Sequence, residues 1–362
     1  MSTVELIVNE NPHQQGLRCR ATFLRALRTL AGKPAIKYSQ YGPPDVLKLV
    51  ELEKPAPKSN ELLVKVRAVS INYGDMIARN FKNISSREFN MPFLFWFLAR
   101  IAFGLNAPWN GGLGSEFAGE VEAVGGNVKT FKAGDPVFGY RGQSMGASAE
   151  YLCVPEKSMV TAKPANMTYD EAAAVPYGAL TALILLRKVK IQPGQKVLIN
   201  GASGSIGAAA VQLAKHFGAT VTGVCSTPRL AYVKSLGTDK VIDYTREDFT
   251  SSSETYDLIF DILGRSSFEK CESSLNENGH YLLASFKGRQ LLQMLLTRNS
   301  SKKVICALSG ETLDDLLFIK TLIESSELKT IIDRRFPLHK TADAHRYLEA
   351  GEKRGCVIIT MG

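Results

Sequence analysis

Residues Lys196–Gly218 read KVLINGASGSIGAAAVQLAKHFG. Val197–Asn200 is a short apolar run of strand character. It passes directly into Gly201-Ala202-Ser203-Gly204-Ser205-Ile206-Gly207, which opens an alanine-rich helix, and Thr220–Cys225 supplies a second strand. Glycines at this spacing are a weak signal alone. With a strand before, a helix after and a second strand at βαβ distance, they specify a turn that holds a pyrophosphate. Gly204 lets the backbone approach that group with no Cβ in the way, and Gly207 permits close helix–strand packing. Free N–H groups and the positive helix end then meet the negative charge.

The end of the second strand selects the dinucleotide. A site for the unphosphorylated form wants Asp or Glu about 20 residues on, to hold the ribose 2′-OH. Here Val224-Cys225-Ser226-Thr227-Pro228-Arg229 contains no acid. Ser226 and Arg229 stand where a 2′-phosphate would lie, and a guanidinium pairs with phosphate by charge-assisted hydrogen bonds. The expected cofactor is NADPH.

Working outward, strands alternate with helices from Lys196 onward: 205–217, 220–225, 229–235, 240–243, 256–262, 267–275 and 279–284. That rhythm predicts an α/β unit, a Rossmann doubly wound parallel sheet. Upstream, 35–39, 47–52, 62–70, 119–124, 136–140 and 149–155 are strand-like runs broken by glycine and proline, which predicts a mainly-β unit. Beyond a helix at 313–325, the strand at 334–338, helix at 341–350 and strand at 356–360 lack the βαβ rhythm and are expected to rejoin the first unit. Residues 1–33 form an N-terminal extension. Asn11–Lys33 holds five basic residues and no acid, whereas Glu5 and Glu10 spoil a targeting pattern. A cytoplasmic location is expected, with organellar import left open by the basic segment.

The 362 residues carry a net charge of +9, and no Lys/Arg run dominates any window. Dispersed solvated charge plus a phosphate-bearing ligand accounts for this, so no nucleic-acid partner is expected. The six cysteines show no C-x-x-C spacing and the five histidines are scattered; they read as packing residues rather than ligands. Met91–Leu105, MPFLFWFLARIAFGL, is the most apolar stretch and is too short for a transmembrane span. It is expected to be a buried or pocket-lining helix, with Phe93–Phe103 as a candidate substrate wall and contact with a greasy substrate or membrane surface as the functional reading.

Five ordered blocks then carry a resemblance: Tyr41–Leu47, Val64–Asn72, Gly114–Gly119, Ala133–Gly139 and the dinucleotide block. Together they resemble the zinc-free, quinone oxidoreductase-like branch of the medium-chain dehydrogenase/reductase family, over roughly Lys33 to the C-terminus. The resemblance implies a GroES-like catalytic domain, 34–175 and 311–362, with a Rossmann domain inserted at 176–310 and an active site in the cleft between them. Zinc-dependent members place ligand residues where Asn72 and Ser115 stand, and a further cysteine near Pro176. An amide and a hydroxyl do not make such a site, so no metal is expected.

The resemblance also implies cofactor contacts at Asn72, Thr181, Tyr244 and Gly264, with Arg354 in a turn closing over the nicotinamide end. These join Gly201 to Gly207, Ser226 and Arg229. The expected reaction is hydride transfer to a quinone or an α,β-unsaturated carbonyl. A backbone N–H, the Asn72 amide or the Tyr73 hydroxyl would serve the developing oxyanion, with water as an alternative proton source. Asp75 reads as structural. A 2-enoyl thioester reductase and a non-catalytic NADPH-binding scaffold are the competing readings. The expected partner is a small-molecule substrate, in a homodimer.

Overall fold

The computed structural model describes residues 32–86, 88–89, 91–308, 310–351 and 353–362. The N-terminal extension read from the sequence lies, apart from its last two residues, outside the described residues.

The first half is built on one long strand. β1 (Lys33–Lys37) and β2 (Lys48–Leu52) form an antiparallel pair, and β3 (Glu61–Ile71) follows. β3 is buried along most of its length because antiparallel partners flank it. Asn72 and Asp75 then form a capping box that starts α1 (Tyr73–Asn80). α2 (Phe93–Phe103), β4 (Glu116–Val124), β5 (Pro136–Tyr140), β6 (Tyr151–Pro155) and β7 (Val160–Ala162) follow. α3 (Tyr169–Ala173) and α4 (Pro176–Arg187) lead into the second half.

There the βα alternation produces β8 (Lys196–Asn200), α5 (Ser205–His216), β9 (Thr220–Cys225), α6 (Leu230–Ser235), β10 (Lys240–Asp243), β11 (Tyr256–Asp261), α7 (Phe268–Cys271), β12 (Leu275–Leu283), α8 (Gly288–Leu296) and β13 (Lys303–Cys306). The six strands are all parallel, in the order β10-β9-β8-β11-β12-β13. This is a Rossmann sheet whose order reverses between β8 and β11, where such sheets hold their ligands. Sequence patterning did not reveal α8 or β13, and β12 starts four residues earlier than the expected 279.

α9 (Leu313–Glu324), β14 (Ile332–Pro337), α10 (Thr341–Glu349) and β15 (Cys356–Thr360) close the chain. β15 pairs antiparallel with β3, Ile358 opposite Ser70, and β14 lies parallel to β15. The seven-stranded sheet thus combines strands from both ends of the described chain. One apolar cluster joins Ala118 and Phe138 of this sheet to Leu183 of α4 and Ala210 of α5, so α4 packs against both halves.

Two glycines set that packing. A Cβ on Gly207 would stand 2.1 Å from the Gly201 carbonyl oxygen, and one on Gly178 2.5 Å from that of Ser205. Gly204 differs, since its nearest neighbour would be the Gly201 oxygen at 3.6 Å. Gly207→Ala is therefore expected to cost about 1–3 kcal/mol through backbone displacement. Gly204→Ala, at an N-cap, should cost less than about 1 kcal/mol. Thermal unfolding of the two purified variants checks this; equal losses would contradict the close-approach argument.

Candidate cofactor and active site

Within the glycine turn, folding already occupies part of the backbone. The amides of Gly201 and Ala202 both donate to the Val224 carbonyl, at 3.2 and 3.0 Å, and Gly204 donates to Gly201. Gly201 has φ +94°, and the Ala202 side chain is core. These residues shape the turn rather than offering it donors. Ladder bonding in α5 begins with Ala208 donating to Gly204 at 2.8 Å. The first-turn amides of Ser205, Ile206 and Gly207 have no acceptor inside the helix, and Ser203 precedes them. An anion over Gly204 would occupy the space a side chain would fill and meet the helix's positive end. The residues present fit a dinucleotide pyrophosphate.

Ser226, Arg229, Tyr244 and Arg354, four residues expected from the sequence, line one cavity of about 590 Å³. Arg334, Asp333 and Tyr347 line it too and were missed. Their only signal was a pair of adjacent arginines, more than 100 positions from the glycine turn. The Arg334 guanidinium lies 4.2 Å from the Tyr347 ring centroid. The Tyr347 hydroxyl and the Arg354 amide donate to one Asp333 oxygen at 2.6 and 3.1 Å. Three arginines thus face one partly engaged carboxylate. Asp243, at the end of β10, is tied up by the hydroxyls of Thr227 and Thr245.

Arg229 has a second task that sequence reasoning did not foresee. Its guanidinium donates to the carbonyls of Lys353, at 3.1 Å, and Gly351. The turn expected over the nicotinamide end therefore sits elsewhere. Arg354 shares the cavity of Ser226 and Tyr244, beyond β9 and β10, because Arg229 draws the turn there. Half-buried Lys353 points back to the glycine turn, its Nζ 3.5 Å from Ser205 Oγ, and burial pushes its pKa down.

At the switch point, Gly264 follows β11 with φ +61°, and its amide donates to Asp261 at 3.1 Å. The fully buried Asp261 carboxylate also accepts from Asn200, Ser266 and Tyr281, tying together the ends of β8, β11 and β12. Thr181 and Tyr177 are half-buried, one turn apart, in an otherwise buried stretch of α4.

Asn72 requires a correction. It was expected to offer its amide to a substrate oxygen. Instead Nδ2 donates to Ser115 Oγ at 2.8 Å and to Glu116 Oε2 at 3.0 Å, while Oδ1 accepts the Gly74 amide at 2.8 Å. With both hydrogens engaged and 2% exposure, Asn72 positions its neighbours and is not a free donor. Tyr73, in contrast, is 55% exposed and its phenol is pushed up by burial, so it stays protonated at neutral pH. Glu116 was missed. It also accepts the Tyr177 amide at 2.8 Å, and burial raises its carboxyl to about 7 despite these bonds. Asp75, read as structural, caps α1, accepts the Gly114 amide at 2.8 Å, and is raised by burial to about 6.

The chain as a whole resembles known proteins. The family models for the alcohol dehydrogenase GroES-like domain and for zinc-binding dehydrogenases match residues 58–165 and 236–359. The chain is 33% identical over 339 residues to a 2-methylene-furan-3-one reductase of Solanum lycopersicum, covering 90% of this chain and 78% of the relative. It is 31% identical over 336 residues to a chloroplastic NADPH-dependent alkenal/one oxidoreductase of Arabidopsis thaliana, covering 89% and 78%. The solved quinone oxidoreductase from Coxiella burnetii superposes with a TM-score of 0.78 at 29% identity, covering 91% of this chain and 99% of that one. With a Rossmann sheet, a GroES-like half and these relatives in agreement, the chain belongs to the medium-chain dehydrogenase/reductase family, in its quinone oxidoreductase branch, and is an oxidoreductase built for a nicotinamide cofactor.

Proposed function

We propose that the chain is a zinc-independent, NADPH-dependent reductase of quinones or α,β-unsaturated carbonyls. The observation that carries this reading is the cavity beyond β9 and β10, where Arg229, Arg334 and Arg354 gather with Ser226 and Tyr244. Guanidinium groups suit a 2′-phosphate, whereas a ribose diol would call for a free carboxylate. The Arabidopsis relative's name, NADPH-dependent, agrees. Zinc-independence rests on donor chemistry: Asn72 and Ser115 are an amide and a hydroxyl bonded to each other, not soft N/S ligands.

On this reading residues 34–175 with 311–362 form the catalytic unit and 176–310 the cofactor unit. Bound NADPH would supply the hydride. Ser203 to Gly207 hold the pyrophosphate, Lys353 adds charge beside Ser205, and Thr181 and Gly264 border the nicotinamide half. Tyr73 donates to the substrate oxygen as charge builds there. Asn72 and Glu116 fix the floor beneath it.

Arg354→Ala is expected to raise KM for NADPH about tenfold to a hundredfold, the worth of a hydrogen bond to a charged group, and to leave KM for NADH within about twofold. Steady-state kinetics with both cofactors checks it; equal losses for the two would contradict a 2′-phosphate role. In a panel of an enone, an ortho-quinone and an enoyl thioester, the first two are expected to consume NADPH. Tyr73→Phe should lower kcat at least about tenfold, the scale of general acid catalysis, without moving the NADPH KM. An unchanged kcat would return protonation to water, and no turnover with any substrate would favour a scaffold.

The buried carboxyls predict a pH effect. Glu116 titrates near 7 in the fold but near 4.5 when unfolded. Above the unfolded value the unfolded chain releases that proton first, so stability falls as pH rises through about 7. His345, held neutral by burial down to about 3, works in the opposite direction below its ordinary 6.5. Between pH 6.5 and 8 the Glu116 loss exceeds the remaining opposing gain from His345, and stability should drop by about 0.5 kcal/mol across that window. Thermal midpoints at constant ionic strength test this; a rise across the window would show Glu116 to be charged in the fold throughout.

A further inference from the structure

α2 was expected to be a buried or pocket-lining helix, with contact to a greasy substrate or a membrane surface as its functional reading, and none of its eleven residues is buried. Its inner stripe, Trp96, Ala99 and Phe103, packs on the core of the first half. Trp96 Nε1 donates to the Ile84 carbonyl at 2.9 Å and Arg100 to that of Phe81 at 3.3 Å. The helix is thus firmly seated, and its outer stripe of Phe93, Leu94, Phe97, Leu98 and Ile101 remains 45–65% exposed. On α8, Leu291 and Met294 pack inward while Leu292, Leu295 and Leu296 are 56–72% exposed. Met91, just before α2, packs on the same core cluster as Leu291 and Met294, so the start of α2 and the inner face of α8 rest on one core. Of the eighteen large apolar side chains exposed among the described residues, seven lie between Phe93 and Trp109 and three on α8. Monomer surfaces rarely concentrate apolar area in this way without a partner.

Charge identifies the partner. The sequence has no acid from 89 to 115 and none from 278 to 310. The same stretches hold Arg100, Lys287, Arg289, Arg298, Lys302 and Lys303. Arg289 pairs with Glu269, and Lys302 donates to the Glu272 carbonyl. A second copy docking through this face about a two-fold axis would set these cations against themselves. A surface that is apolar within and anionic outside satisfies both features. No helix of the described residues is long and apolar enough to cross a membrane, so the contact is interfacial.

We propose that α2 and α8 form one patch by which the folded chain docks onto a bilayer bearing anionic lipid headgroups. The exposed apolar side chains enter the acyl boundary, and the basic residues of the same stretches meet the headgroups.

The test is co-sedimentation of the full chain with vesicles of phosphatidylcholine alone or mixed with phosphatidylglycerol. Wild type should bind the anionic vesicles and release at high salt. Both tryptophans, Trp96 and Trp109, lie in this region, so their emission should shift to the blue on binding. Phe97→Glu with Leu98→Glu, and separately Leu295→Glu with Leu296→Glu, should each weaken partitioning at least about tenfold, since two apolar side chains are lost from the acyl boundary and two negative charges are set against anionic headgroups. Leu49→Glu, exposed on β2, should bind like wild type. These sites are on the surface, and an unchanged thermal midpoint confirms folding. Wild type that ignores anionic vesicles, or patch variants that bind them equally well, would overturn the proposal. So would a wild-type dimer that the patch variants dissolve, which would assign the face to a second copy.

Discussion

The close seating of α5 on the end of β8 governs the rest of the molecule. Gly207 lies where a methyl group would be 2.1 Å from the Gly201 oxygen, and one on Gly178 of α4 would be 2.5 Å from the Ser205 oxygen. These approaches aim the first-turn amides of α5 at the crevice and lock α4 beside them. α4 carries the Tyr177 amide, which holds one oxygen of Glu116, and the other oxygen holds Asn72. An unbroken series of short contacts therefore runs from the glycine turn to Asn72, the residue before Tyr73. A displacement at either end is transmitted through close-packed groups with little room to yield.

Local chemistry was legible in the sequence wherever one segment carries the whole constraint. The glycine turn needs only its own strand and helix, and the βα rhythm needs only the period of its apolar residues, so both were readable. β13 was not, because Lys303-Val304-Ile305-Cys306 is short and becomes a strand only by pairing with the already formed β12. α8 was passed over because its apolar residues face two ways, Leu291 and Met294 inward and Leu292, Leu295 and Leu296 outward. The burial of α2 was misjudged for a related reason. A helix apolar on every side reads as core, and sequence cannot tell that only Trp96, Ala99 and Phe103 find something to pack against.

The site shows the same division. Ser226, Arg229 and Tyr244 lie at strand ends that the Rossmann pattern places, whereas Arg334 and Tyr347 arrive from the C-terminal elements, far away in sequence. Asn72 was legible as a site residue and not as to its role. That role is decided by Ser115 and Glu116, 43 and 44 positions away. Counting an asparagine as a free donor requires knowing that nothing else has claimed its two hydrogens, and Ser115 and Glu116 have claimed both.

Arg229 links these observations into one mechanical unit. Its guanidinium faces the cavity while holding the carbonyls of Gly351 and Lys353. That turn runs into β15, which pairs with β3 up to Ile71, the residue before Asn72. A phosphate drawing on Arg229 would compete with those carbonyls for its five N–H donors. Anion binding in the cavity therefore bears on the turn, and through β15 on the strand that presents Asn72 and Tyr73. A cation placed only to bind phosphate would have no need of the two carbonyls. The turn that Arg229 holds also carries Lys353 to Ser205 and Arg354 to the cavity, so one guanidinium anchors the segment that positions two further cations.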